Sequence, residues 1–320
     1  MRRKTRKLFL LATILLVLGG AIFAVTMSAV GWDFTKLQYG QYTLRVEEIN
    51  ETLEGFQISE TTADIRILPL NDGKARVEYY EKENVTLGVE VDDGDLRIRG
   101  TDSRKWYEKI FNFETREVRV YLPTGEYQNI SVWTDTGDII VEEGFLFNFI
   151  DIKTDTGDVV FKSSSRDNLL IRMTTGDAYL RNVHANAIDV SATTGDIQAE
   201  NIRVTERISI STSTGEVECT SVRSASFYAF SDTGDIELTD VVAEEKMEIT
   251  TFTADVKFDA CDAKELYVKT DTGDVEGTLL SEKIFNTLTD TGKVMVPFST
   301  TGGKATIQTD TGDIIISIKP

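Results

Sequence analysis

The sequence predicts an all-β fold, a single-stack β-solenoid (β-helix-like) preceded by one N-terminal transmembrane helix. Three observations carry this prediction: a five-residue turn motif recurs ten times in phase, apolar residues alternate on both sides of every copy, and an uncharged apolar stretch lies close to the N-terminus.

The apolar stretch comes first in the chain. Residues 1–7 hold Arg2, Arg3, Lys4, Arg6 and Lys7 and no acid. Residues 8–30 then run LFLLATILLVLGGAIFAVTMSAV without a charge. A membrane span needs about 20 apolar residues, whereas a signal-peptide core has about 7–15. Length therefore favours an uncleaved anchor, with Ser28 and Ala29 leaving cleavage as the alternative. The basic flank belongs on the cytoplasmic side, which places everything after residue 31 outside the cell membrane.

Residues 31–126 read as a β-rich N-terminal section or cap, because terminal repeats tend to be atypical. FQISETTADIRILPL, ARVEYYEKE and VTLGVEV alternate like strands, and TTAD at 61–64 looks like an early copy of the turn. SRKWYEKIFNF at 103–113 mixes aromatic and basic residues. Trp106, Tyr107 and Phe111 are its candidate interaction residues, although a plug over the end of the stack is the commoner use for such side chains.

Residues 127–320 hold the repeats. The motif reads TDTGD at 134–138 and 154–158, and then MTTGD, ATTGD, TSTGE, SDTGD, TFTAD, TDTGD, TDTGK and TDTGD, the last at 309–313. Its centres are Gly137, Gly157, Gly176, Gly195, Gly215, Gly234, Ala254, Gly273, Gly292 and Gly312. No step between successive centres differs from another by more than one position. Apolar residues stand two and four positions after the centre, as at Ile197/Ala199 and Ile236/Leu238. They also stand seven and five before it, as at Ile150/Ile152 and Ile208/Ile210. Such alternation means two strands per unit, each with one buried face. A unit this short cannot bury that face alone, so rungs must stack. A lone apolar residue seven after the centre (Val183, Ile202, Val222, Val241, Cys261, Leu280) begins the return side.

Thr precedes the centre in every copy, Gly occupies it except at Ala254, and an acid follows except at Lys293. Gly implies positive φ. The acid is expected to accept from an N–H two residues on and close an Asx-turn, and the Thr hydroxyls to bond along the stack. Stacking would also align carboxylates at the rung spacing, where they repel. This makes Asp135, Asp138, Asp155, Asp158, Asp271, Asp274, Asp310 and Asp313 weak Ca²⁺ candidates, the one cofactor the sequence raises. The nonapeptide pattern of calcium-binding β-rolls is absent.

The chain has 34 Lys+Arg against 53 Asp+Glu. Five of the former precede residue 31, so the remainder is 29 against 53, a net charge of −24. Such a surface repels nucleic acid and suits a cationic peptide or a basic cell-envelope protein, with a wall polymer as a further partner. Cys219 and Cys261 lie two rungs apart, roughly 10 Å, too far for a bridge. His184, the one histidine, reads as a solvated residue in the connection RNVHANA. With so few Cys and His, zinc and Cys/His nucleophile sites are nearly excluded.

The basic-flanked anchor, the DIRIL and VRVYLP strands and the tandem TxTGD[IV]xV units together resemble the bacterial adhesin-type β-strand-repeat family, a domain of unknown function that includes LiaG-like proteins. The resemblance covers about residues 45–320. It implies an all-β solenoid on a bacterial surface, commonly Gram-positive, in a family with members similar to proteins of envelope-stress and antimicrobial-peptide response. It carries no catalytic residues. The expected function is thus a non-catalytic binding or sensing module of the envelope, with a structural spacer or adhesin as the alternative. A β-helix polysaccharide lyase or hydrolase is the remote third reading. The near-constant spacing leaves no room for the long loops that build such clefts, and no carboxylate pair stands apart from its equivalents.

Overall fold

The computed structural model describes residues 2–29, 31–32, 43–71, 73–105 and 116–319. Helix α1 (Arg2–Ala29) contains the segment Leu10–Ala29, with mean hydropathy 2.5, long and apolar enough to cross a membrane. Everything described after it is β. The strands are β1 (Thr43–Ile49), β2 (Gly55–Glu60), β3 (Ala63–Leu70), β4 (Ala75–Glu81), β5 (Val85–Asp92), β6 (Asp95–Asp102), β7 (Arg116–Pro123), β8 (Gly125–Thr136), β9 (Ile139–Val141), β10 (Phe145–Thr156), β11 (Val159–Phe161) and β12 (Ser164–Ser165). They continue as β13 (Asn168–Thr175), β14 (Ala178–Arg181), β15 (His184–Thr194), β16 (Ile197–Thr214), β17 (Val217–Thr233), β18 (Ile236–Thr253), β19 (Val256–Thr272), β20 (Val275–Leu279), β21 (Lys283–Thr291), β22 (Val294–Met295), β23 (Gly303–Thr311) and β24 (Ile314–Ile318).

Each rung runs up one wall, turns at the Thr-Gly-Asp corner and runs down a second wall. In the mid-stack rungs it then bends at a left-handed residue six positions after the Gly. Asn182, Asn201, Ser221, Asp240 and Ala260 fill that second corner with φ of 53–57°. Asn and Asp tolerate this conformation best, and they fill three of the five corners, with Ser221 and Ala260 at the other two. A short return wall follows, in which Val183, Ile202, Val222, Val241 and Cys261 are fully buried. Leu280 breaks the expected series. It is 43% exposed, and Leu279 is buried in its place opposite Cys261. The register between these two rungs shifts by one after Phe258.

Neighbouring rungs pair in parallel and in register, for example Ile208↔Phe227 and Ile210↔Ala229. The one-position variation in rung length is absorbed at the third corner, where the ladder slips between Arg203 and Arg207, Ser224 and Ser226, and Ala243 and Lys246. Bulges at this corner let both walls keep their inward faces aligned. One rung contributes Ile197, Ala199, Ile202, Val204, Ile208 and Ile210 to a continuous core. Burying each large aliphatic side chain there is worth about 1.5–3 kcal/mol.

Two departures from consecutive stacking matter. First, TTAD is indeed a rung turn, and β2 and β3 stack directly on β8 and β9, although Asp64 and Asp138 are 74 positions apart in the chain. The chain between them makes a further rung, β6 and β7, on the outer side of β2 and β3. Antiparallel β5 then covers β6, while β4 and β1 cover β7. Second, the last two rungs are exchanged. β23 pairs with both β19 and β21, and β24 with both β20 and β22, so the rung latest in sequence lies inside the one before it. Among the described residues the wall before the turn thus holds twelve parallel strands in the order β6, β2, β8, β10, β13, β15, β16, β17, β18, β19, β23, β21, a stack roughly 50–55 Å long.

Candidate functional site

The Thr-Gly-Asp corners form one edge of the stack, and its geometry begins with glycine. Gly137, Gly157, Gly176, Gly195, Gly215, Gly234, Gly273 and Gly312 have φ between +135° and +155°. A Cβ on Gly195 would also lie 1.9 Å from the carbonyl oxygen of Gly176, and the same contact repeats up the stack. Glycine is therefore required twice, by its dihedral and by the neighbouring rung. Ala254 is not among the positive-φ residues, yet its N–H still donates to the Thr272 carbonyl at 2.9 Å, as the glycines do to the matching threonine.

The acid one place after the glycine does not close an Asx-turn. Its Oδ1 accepts from the backbone N–H of its counterpart on the next rung: Asp158 N–H to Asp138 (2.9 Å), Asp177 to Asp158 (2.8 Å), Asp196 to Asp177 (2.8 Å) and Glu216 to Asp196 (2.8 Å). The ladder starts at Asp64 and resumes through Asp235, Asp255, Asp274 and Asp313 to Lys293. In-register stacking brings that amide closer than any amide of the carboxylate's own turn. Lys293, the exception in the sequence, is the last member in space. Its N–H donates to Asp313 at 2.7 Å, and no further rung needs its side chain. The hydroxyls that bond along the stack belong to residues three before the glycine, as in Thr212 to the Gly195 carbonyl (3.0 Å) and Thr309 to that of Gly273 (3.1 Å). The Thr beside the glycine instead offers its carbonyl, as Thr175 does to Gly157 N–H (2.9 Å).

Two acidic columns therefore run along this edge. The inner one is Asp138, Asp158 and their counterparts, in which each aspartate commits one oxygen to an amide of the next rung. The outer one, two residues before the glycine, holds Asp135 and Asp155 towards one end and Asp232 mid-stack. Asp271, Asp310 and Asp290 occur at the other end, in that spatial order. The Asp155 and Asp271 side chains are about half exposed (52% and 44%), with Lys153 and Lys269 Nζ 3.9 and 3.8 Å away. The Ca²⁺ candidates thus form two parallel lines. Among the described residues, no three His, Cys, Asp or Glu side chains converge as a metal site. Burial raises the Asp64 carboxyl above the usual range, with Asp138 and Glu117 adding to it. Burial likewise raises that of Glu216.

Trp106, Tyr107 and Phe111 lie outside the described residues. Their flanking strands β6 and β7 meet the stack at the rung next to Asp64. At the neighbouring turn the Arg116 guanidinium, 5% exposed, holds Glu60, 1% exposed, at 3.0 Å. Cys219 and Cys261 are buried and unbridged. Burial pushes both thiols up, Cys261 to about 12. His184 is exposed as expected, but it opens strand β15 rather than lying in a loop, and its N–H is held by Ser164 Oγ at 3.2 Å. It also lines a surface concavity with Arg166, Arg203 and Arg223, three residues the sequence reading passed over. The signal was present: the eighth residue after the glycine is basic in three successive repeats, His184, Arg203 and Arg223.

Residues 54–159, 147–229 and 206–320 each match the family model described as Toastrack DUF4097. The chain belongs to the Toastrack family. Successive matches overlap, as they must where one repeat so resembles the next. Among solved structures, this Toastrack chain is similar to a "putative adhesin" from Bacteroides fragilis, at 16% identity over 86% of this chain and 97% of the other, TM-score 0.45. It is also similar to a "putative lipid binding protein" from Parabacteroides distasonis, at 14% identity over 87% and 98%, TM-score 0.49. A "putative adhesin" from the latter organism matches at 12% identity over 84% and 97%, TM-score 0.46. No curated protein matches.

Proposed function

We propose that this Toastrack protein is a non-catalytic binding module of the bacterial envelope, held by α1 with its solenoid outside the membrane, that meets cationic partners through its acidic edge. One observation carries the reading: the outer aspartates stand in line along the Thr-Gly-Asp edge while the inner column secures the backbone. Structure and recognition are thereby divided between two columns, and the outer one is free to change without loss of the ladder. A cationic amphipathic peptide, of the kind that triggers envelope-stress responses, suits a linear acidic track, since its charges can engage successive rungs. The basic residues before the apolar part of α1 support a cytoplasmic N-terminus.

The test uses the full chain in nanodiscs of neutral lipid and a fluorescent cationic amphipathic peptide, titrated at two salt concentrations. Salt-sensitive binding is expected. It should weaken when Asp135, Asp155, Asp271, Asp290 and Asp310 are together replaced by Asn, with the melting temperature held. Binding unchanged in that variant would overturn the role of the outer column. Absence of peptide binding at low salt would favour the spacer or adhesin reading, for which the regular rung length without inserted loops is the supporting feature.

A further inference from the structure

On the return wall, away from the acidic edge, three basic residues stack directly. His184 pairs in register with Arg203, and Arg203 with Arg223. All three are exposed and line a groove of about 520 Å³ together with Arg166, Ser224 and Glu244. Like charges on adjacent strands destabilise one another, and this chain is otherwise acidic, so the column calls for a counter-charge. Carboxylates meet part of that need. Arg166 binds Glu126 at 2.6 Å and Arg223 binds Asp240 at 2.6 Å. Arg203, between His184 and Arg223, has no carboxylate or side-chain hydrogen-bond partner among the described residues.

We propose that this groove binds an extended polyanion whose oxyanions, phosphate or carboxylate, repeat along the chain. The two guanidinium groups and the imidazole do not converge on one point. They follow the stack axis at the strand spacing of about 4.8 Å, an arrangement that fits a row of anions rather than one. Arginine is the side chain best suited to oxyanions because its planar donors can bind two oxygens at once. The acidic columns lie on another face of the stack, and at physiological salt their repulsion is screened beyond about 8 Å. The groove therefore acts locally. It also gives the molecule two faces of opposite sign, so this proposal stands whether or not the acidic edge binds peptides.

The experiment titrates the full chain in nanodiscs of neutral lipid with fluorescent polyphosphate of defined length, then with oligogalacturonate, with inorganic phosphate and with vesicles containing phosphatidylglycerol. Saturable binding of one or both polymers is expected, and which of them binds identifies the oxyanion. Arg203→Ala should weaken it about tenfold, the loss of one charge-assisted contact, with an unchanged melting curve. Arg181→Ala, which breaks the exposed pair with Glu200 outside the groove, should leave it unchanged. Equal binding by Arg203→Ala and the unaltered chain would overturn the proposal. So would absence of polymer binding, competition by inorganic phosphate at equal phosphate concentration, or vesicle capture that exceeds capture of the free polymers and is lost in Arg203→Ala.

Discussion

At the scale of single residues, the repeated motif is a device for joining rungs. Gly195→Val places a branched side chain at φ +140° and against a carbonyl oxygen 1.9 Å from its Cβ. We expect a loss of several kcal/mol, read as a large fall in melting temperature, and an unchanged melt would remove the turn geometry from consideration. Asp196 tests the ladder more gently. Asp196→Ala leaves the Glu216 N–H without its acceptor and should cost about 1 kcal/mol. Asp196→Asn retains an oxygen in place and should cost less; equal losses in the two variants would show that the acceptor is irrelevant. At Asp64 the sign reverses. Its folded-state pKa is raised by burial, so at neutral pH its ionisation opposes folding, and that penalty is relieved as pH falls through the raised pKa. Asp64→Asn should therefore stabilise the protein at pH 7 and lose its advantage in acid, a trend that melting curves across pH would display. The sequence made Gly and Asp conspicuous but assigned Asp the wrong partner, because spacing within one turn cannot reveal an amide on the next rung.

At the scale of elements, the Arg116–Glu60 pair fastens the β6/β7 rung to the first Thr-Gly-Asp-like rung. Glu60 takes the inward place that Thr134 holds on the following rung. It accepts from Arg116, from Thr61 N–H at 2.7 Å and from Thr62 N–H at 3.3 Å. Arg116 also reaches Thr62 Oγ1 at 3.1 Å. Removing one partner of so buried a pair strands the other, at a cost of about 3–5 kcal/mol. Glu60→Ala should therefore destabilise the protein about as much as losing a core side chain, whereas breaking the exposed Arg172–Asp151 pair should change stability by less than about 1 kcal/mol. Similar effects from the two changes would show that burial does not govern this pair. The strands themselves were legible, since alternation at Ile208 and Ile210 or Ile236 and Leu238 admits only one buried face. The left-handed corner was not, because Asn182, Asn201, Ser221, Asp240 and Ala260 share a backbone conformation and not a side chain.

At the scale of the whole molecule, the two ends differ. Antiparallel β1, β4 and β5 close the end nearest α1 in the chain, whereas β21 and β22 at the other end pair on one side only among the described residues. The sequence could not show which rung is terminal, because all copies carry compatible signatures and nearly any two could stack. Lys293 was the one clue, and it has meaning only once Asp313 is seen beneath it. The exchange also sets an order of stability that contradicts chain order. A rung in a stack gains from both neighbours, and a terminal rung from one. Local opening should therefore be easiest in 283–295, where Ile284, Leu288, Val294 and Met295 are 43–58% exposed. It should be harder in 303–318, although that segment lies closer to the C-terminus. Hydrogen exchange by mass spectrometry on the full chain reads this directly. Amides of residues 304–311, hydrogen-bonded between β19 and β21, should exchange more slowly than those of residues 284–291. Faster exchange in 304–311 would mean that the rungs stack in chain order after all, with Lys293 inside the ladder and a carboxylate missing beneath Asp313.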